Sequence, residues 1–175
     1  MDTILVVEDE KLIRQGLKTM IQRSGVQVRV ILECNNGQTA LEILKEEKVD
    51  VMFTDIRMPK MDGIELVKQM QVLPHVPLTV AVSGYEDFTY AVEMLRQGVR
   101  EYILKPVERE KITEILQKLE RELQETRDKN RNIEQIGYRQ LKHLMQSEEI
   151  GAEEIAELEK QYGEGFFPES FRVCC

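Results

Sequence analysis

The sequence predicts an α/β fold: a doubly wound parallel sheet with helices on both faces. Two observations predict it. Short apolar runs alternate with segments of helical period five times within about 120 residues, the rhythm of repeated βα units. Residues able to do chemistry also fall just after several of those runs, where open parallel sheets place their sites. The 175 residues, 42% of them hydrophobic, suffice for one full core and a smaller appendage.

The elements follow in order. Thr3 to Val7 is a β-branched run and the first strand. Leu12, Ile13, Leu17, Met20 and Ile21 repeat at helical spacing until Ser24-Gly25 stops them. Val26 to Cys34 is the second strand, with Asn36-Gly37 as a turn, and Ala40, Leu41 and Leu44 mark the second helix. Val49 to Thr54 is the third strand. Asp62 caps a helix bearing Ile64, Leu66, Val67 and Met70. Pro77 to Val82 is the fourth strand, and Phe88, Ala91, Val92 and Leu95 mark a helix that Gly98 ends. Val99 to Leu104 is the fifth strand. Pro106 breaks it, and a long helix begins.

Charge and composition narrow the function classes. A net charge of -8 argues against nucleic-acid binding, because phosphate backbones require a basic footprint. No apolar run is long enough to span a bilayer, and Met1-Asp2-Thr3 does not open a signal peptide, so a cytoplasmic location is expected. The three cysteines, Cys34, Cys174 and Cys175, lack the spacing of a disulfide framework. Cys34 closes an apolar run and reads as a core residue.

The strand ends hold the chemistry. Glu8, Asp9 and Glu10 follow the first strand, Asp55 ends the third, Ser83 the fourth and Lys105 the fifth. A parallel sheet brings them to one edge. Clustered carboxylates repel one another unless a cation makes all of them ionised ligands. Oxygen ligands with open positions suit Mg²⁺, which bridges phosphate oxygens. Asp55 is then a nucleophile toward a phosphoryl donor, with the metal, Lys105 and Ser83 neutralising or hydrogen-bonding the phosphoryl oxygens. Taken singly, each residue has an ordinary reading. Asp55 is a loop acid, Glu8-Asp9-Glu10 are charges near a helix N-terminus, Ser83-Gly84 is a turn, and Lys105 is a surface charge. Their coincidence on one edge is what points to a site.

Four motifs resemble the receiver domain of two-component response regulators: Leu5-Val6-Val7-Glu8-Asp9-Glu10, Thr54-Asp55 through Asp62-Gly63, Ser83-Gly84-Tyr85, and Tyr102-Ile103-Leu104-Lys105-Pro106. The resemblance implies a flavodoxin-like (βα)5 sheet of order 2-1-3-4-5 and a receiver over residues 1–122. It implies Asp55 as phosphoacceptor, and Mg²⁺ held by Glu8, Asp9, Asp55 and the Arg57 backbone carbonyl. Ser83 and Tyr102 are implied as the switch pair, and Lys105 as the salt-bridging lysine. The donor would be a sensor histidine kinase, and the protein a signalling switch rather than an enzyme. Two departures are mild: Glu8 stands where Asp is commoner, its longer side chain expected to reach the metal through water, and Ser83 where Thr is commoner. Lys105-Pro106 is a cis-peptide candidate.

The last helix continues. Ile112, Leu116, Leu119 and Leu123, then Thr126, Asn130 and Ile133, keep a spacing of four and three before the pattern weakens at Gly137. This reads as a narrow coiled-coil seam over an extension at 108–148, favouring a parallel homodimer over a helix folded back on its own domain. Glu114 with Lys118, and Glu125 with Lys129, are expected surface pairs. Residues 149–175 read as the start of a truncated middle segment. The stretch from Ser83 to Ala91, Leu104-Lys105-Pro106-Val107 and the long helix resemble the subgroup with an AraC-type DNA-binding output domain, so DNA would be met only through a domain absent from these residues. Two other functions compete. A pseudo-receiver would dimerise without phosphorylation. A haloacid-dehalogenase-type phosphatase also uses a nucleophilic Asp and Mg²⁺, but needs a second acid where Arg57 stands.

Overall fold

The computed structural model describes residues 1–84 and 88–146. Strands and helices alternate strictly: β1 (Thr3–Val7), α1 (Lys11–Gln22), β2 (Val30–Cys34), α2 (Gly37–Glu46), β3 (Val51–Asp55), α3 (Gly63–Met70), β4 (Leu78–Ser83), α4 (Phe88–Arg96), β5 (Glu101–Leu104) and α5 (Arg109–Gln146). All strand pairs are parallel, and the sheet order is β2-β1-β3-β4-β5. This is the flavodoxin-like order expected above.

Alternation along each strand builds a core on both faces of the sheet. Leu5, Val7 and Met52 face the side covered by α2, α3 and α4, where Leu41, Leu66, Val67 and Met94 meet them. Ile4, Val6, Val51, Phe53, Val80 and Val82 face α1 and α5, where Leu17, Ile21, Ile112, Leu116 and Leu119 pack. Burial on two faces is why the strand sequences read as unbroken apolar runs.

The caps are local. Asn36 does not merely turn the chain: its side chain accepts a 3.0 Å hydrogen bond from Thr39 N–H and caps α2. Asp62 accepts from Glu65 N–H at 2.8 Å and caps α3, as its position suggests. Gly98 follows α4 at φ +84°, a left-handed conformation that suits glycine.

Several expectations need correction. The second strand begins at Val30, not Val26, because its ladder with β1 starts at Thr3↔Val30, and before it the Met1 amino group donates to Gln27 O without extending the ladder. Val26 and Val28 pack instead against the α1/α5 side of the core. The fifth strand likewise begins where β4 offers a partner, at Val80↔Glu101. Leu12 is 83% exposed, so the inward face of α1 is carried by Leu17 and Ile21. On α4, Leu95 is exposed and Met94 is buried in its place.

The largest correction concerns α5. Ile112, Leu116 and Leu119 are fully buried against the sheet together with Ile115, a residue outside the expected seam. Spacings of three, four and seven make this a broad core face, not a narrow stripe, so the first turns of the helix are covered by their own domain. Lys118 pairs with Glu101 of β5 rather than with Glu114, and Glu114 lies 3.9 Å from Lys111. One compact unit runs from Met1 to Gln124, and a separate one begins at Glu125. The side chains of Asn130 and Ile133, residues 85–87, and residues 147–175 with Cys174 and Cys175 lie outside the described residues. No helix among the described residues is long and apolar enough to cross a membrane.

Candidate functional site

The carboxyl edge of the sheet collects the predicted residues. Glu8 and Asp9 sit directly beyond β1, in the turn into α1, and Asp55 is the last residue of β3, the next strand. Carboxylate oxygens of Glu8, Asp9 and Asp55 lie within 4.8 Å of one another. Lys105, just beyond β5, reaches back to them, with Nζ 2.8 Å from Glu8 Oε2 and 3.4 Å from Asp55 Oδ1. The Lys105-Pro106 bond is cis.

Burial sets the electrostatics. Glu8 is fully buried, Asp55 nearly so, and Asp9 is exposed. Burial pushes the Glu8 carboxyl above its ordinary range; the hydrogen bond from Lys105 opposes this, and the Asp55 charge adds to it. Asp55 is also raised by burial, against the charge of Lys105 and a 2.9 Å hydrogen bond from Ile56 N–H. For Lys105 burial works downward, but hydrogen bonding to Glu8 and the Asp55 charge outweigh it, and the ammonium is held above its usual value. Two buried carboxylates thus share one cation, which is one positive charge too few. Glu8 Oε2 shows the deficit directly. Its one partner among the described residues is the Lys105 ammonium, which Asp55 shares.

That deficit is the test for a metal ion. A buried Glu8 carboxylate beside two further carboxylates, all hard oxygen donors with a single lysine among them, fits a divalent cation such as Mg²⁺. The three expected carboxylates are brought together, and Glu8 has a further role. Glu8 is engaged with Lys105, so it positions the lysine as well as lending charge to the site.

The remaining predicted residues are placed as follows. Ser83 ends β4 one residue beyond Val82, the register partner of Asp55, and is buried, and its carbonyl accepts a 2.7 Å hydrogen bond from Lys105 N–H. Tyr102 lies on β5 opposite Ala81, half-buried on the α2/α3/α4 side of the sheet. Arg57 is exposed, and its side chain turns to α4. Its Nη2 donates to Tyr90 Oη at 2.8 Å, with the guanidinium 5.4 Å from the ring centroid.

Sequence reasoning missed three supporting residues. Gly63 N–H donates to Ile56 O at 2.8 Å, and a Cβ there would run into the Asp55 carbonyl oxygen. Gly37 N–H donates to Met61 O at 3.1 Å, and a Cβ there would press on Met61. The two glycines seat the turn from Asp55 to α3, where Lys60 is held at φ 70°. Only the adjacency of Asp62 and Gly63 signalled this. Arg14 is the third: its Nη1 donates to the carbonyls of Glu8 at 2.6 Å and Asp9 at 3.4 Å. Nothing in its spacing distinguished it from a surface cation.

A five-stranded parallel α/β domain with three acids and a lysine at its carboxyl edge has the architecture of a phosphorelay receiver. The response regulator receiver domain matches residues 4–117, and the chain belongs to that family. Among curated relatives, an uncharacterized response regulatory protein of Vibrio cholerae is 34% identical over 121 residues, covering 69% of this chain and 46% of that protein. The uncharacterized transcriptional regulatory protein YesN of Bacillus subtilis is 32% identical over 120 residues, covering 69% and 33%. The transcriptional regulatory protein HptR of Staphylococcus aureus is 31% identical over 128 residues, covering 73% and 50%. The chain therefore spans between a third and a half of the length of these relatives. Among solved structures, the response regulatory domain of protein mrkE from Klebsiella pneumoniae aligns with TM-score 0.65 and 31% identity, over 70% of this chain and 98% of that one. A two-component transcriptional regulator AraC from Clostridium phytofermentans aligns with TM-score 0.63 and 32% identity, over 74% and 99%.

Proposed function

We propose that this receiver accepts a phosphoryl group on Asp55 from a sensor histidine kinase and uses it to switch a transcription-regulatory output. The observation that carries the reading is the meeting of Glu8, Asp9 and Asp55 within 4.8 Å, with Lys105 bridging two of them. An Asp55 carboxylate oxygen attacks the phosphorus of a phosphohistidine. The new O–P bond forms as the P–N bond breaks, and the leaving imidazole takes up a proton. Glu8, Asp9, Asp55 and the Arg57 carbonyl would hold Mg²⁺, which when bound draws charge off the phosphoryl oxygens. Lys105 sits within reach of the same oxygens and neutralises them further. Ser83 donates a hydrogen bond to the phosphoryl group, and Tyr102 follows it inward. The new contacts bias a pre-existing equilibrium of the α4–β5–α5 face.

In this reading residues 1–122 are the receiver, 108–148 a helical linker continuous with its last helix, and 149–175 the start of a middle segment. The protein acts as a cytoplasmic switch rather than a turnover enzyme. Dimerisation in parallel falls to the helix beyond Leu123, because the earlier apolar positions are already covered. DNA is reached through an AraC-type output domain outside this sequence, a reading supported by the likeness to the Clostridium phytofermentans regulator. The test is intact mass after incubation with Mg²⁺ and a small phosphodonor. Wild type should gain one phosphoryl group and Asp55→Asn none. Equal labelling of both would displace Asp55 from its role, and labelling of neither, with an active donor, would leave a receiver fold that does not receive.

A further inference from the structure

The acid-bearing turn after β1 is not held by its own helix cap. Glu10 occupies the N-cap of α1 without a side-chain capping hydrogen bond. Besides a 3.3 Å hydrogen bond from Glu10 N–H to Glu8 Oε1, the turn is held by Arg14, one turn into the helix. Its Nη1 donates to Glu8 O at 2.6 Å and to Asp9 O at 3.4 Å. Its Nε lies 3.8 Å from Glu33 Oε2 on β2, and Lys18 ion-pairs with the other Glu33 oxygen. The side chain is only 17% exposed.

This choice of partners is unusual for an arginine next to three carboxylates. A guanidinium matches a carboxylate in a two-pronged fork, and such a pair would compete with a metal ion for the same oxygens. Here the guanidinium takes the backbone carbonyls of the two acidic residues and leaves their carboxylates to the site. Its only carboxylate partner among the described residues, Glu33, belongs to the neighbouring strand and is outside the acid cluster. Glu33 anchors the arginine, the arginine fixes two consecutive carbonyls, and the peptide planes of Glu8 and Asp9 are thereby set.

We infer that Arg14 is a positioning residue for the divalent-cation site, acting through the carbonyls of Glu8 and Asp9 and braced by Glu33. The inference rests on the reading of that cluster as a cation site. Its sign is diagnostic. As a bare positive charge near the site, Arg14 repels a cation, and its removal would tighten binding. As a brace, its removal loosens two ligands and weakens binding, on the scale of about tenfold seen when residues supporting metal ligands are lost.

The experiment titrates Mn²⁺ into the full chain and reads free ion by electron paramagnetic resonance, with Mg²⁺ as competitor. Thermal melts of the metal-free proteins are run beside it. Arg14→Ala should raise the Mn²⁺ Kd about tenfold. Arg14→Lys, which keeps a donor and the charge, should recover part of that loss. Lys18→Ala removes a neighbouring cation from Glu33 without touching the turn, and should leave Kd unchanged or slightly lower. If wild type binds Mn²⁺ and Arg14→Ala binds as tightly or more tightly, the positioning role is wrong and the cation site stands. If Arg14→Ala lowers only the melting temperature, the arginine is merely structural. If wild type binds no Mn²⁺, the cation reading fails and the inference with it.

Discussion

Helices α3 and α4 are neighbours on one face of the sheet, yet they are held in different ways. On α3, Gly63, Ile64, Leu66, Val67 and Met70 are all buried, and its N-terminus is capped by Asp62 and pinned to Ile56 through Gly63. On α4, Met94 is the fully buried anchor, while Leu95 faces outward at 53% exposure. Among its described side chains, Tyr90 is only partly buried against the same core, and the polar ties lie at the surface: Tyr90 with Arg57, and Glu93 with Lys68 at 2.7 Å. Exposed hydrogen bonds and ion pairs contribute little each, whereas buried apolar area is expensive to break. The turn that follows Asp55 thus runs into the firmly packed helix, and the lightly packed one follows Ser83. A segment with few buried apolar contacts can be repositioned at low cost.

Breaking α3 should have the largest effect. Leu66→Ala deletes a fully buried side chain and should cost about 2–5 kcal/mol in urea unfolding, enough to threaten the fold. Met94→Ala should cost about 2–3 kcal/mol by the same mechanism, because it removes the one fully buried anchor among the described side chains of α4. Leu95→Ala, on the adjacent residue, should change stability by less than about 0.5 kcal/mol. A Leu95→Ala loss as large as that of Met94→Ala would mean α4 sits differently. Tyr90→Phe sharpens the contrast further. It removes the Arg57 hydrogen bond but keeps the ring under the guanidinium, so stability should fall by at most about 1 kcal/mol. Hydrogen exchange at α4 amides should still rise relative to α3.

The smallest effect tests the packed side of the same face from a distance. Burial raises the Cys34 thiol from an ordinary 9.0 to about 11. A raised thiol pKa contributes stability that is complete below the ordinary value and is lost as pH rises from 9.0 toward about 11. Near pH 8 the folded protein should leave Cys34 unalkylated by iodoacetamide, and denaturant should open it. This can be read by peptide mass spectrometry. Rapid labelling of Cys34 under native conditions would show that the α2/α3 side opens more readily than its packing implies.

How much was legible beforehand varied with the distance over which each interaction acts. Asp62 and Gly98 were readable as caps because their function is local: a carboxylate three residues before an N–H, and a left-handed residue after a helix. The position of Asp55, Glu8, Asp9 and Lys105 at one edge was readable too, since parallel strands put all their carboxyl ends on the same side. Strand ends were misread wherever the limit is a neighbour's length, as at Val26 and Val99. Leu12 and Leu95 fit a helical period as well as Leu17 and Met94 do, and only the position of the sheet decides which side of each helix is inside.

What the sequence by itself determined is therefore the order of the elements, the sheet's class and the list of residues at its active edge, because periodicity, caps and turn residues act over a few positions. The tertiary structure alone decided the partners. It gave the Lys105 ammonium to Glu8 and Asp55 together, and turned Arg14 onto the carbonyls of Glu8 and Asp9 and onto Glu33 instead of the clustered carboxylates. It also drew Ile112, Ile115, Leu116 and Leu119 into the domain's own core where a seam was expected. The physical reason is common to all three. A charge or an apolar face states what kind of partner it needs, but which partner it obtains depends on what the folded chain brings within a few ångströms.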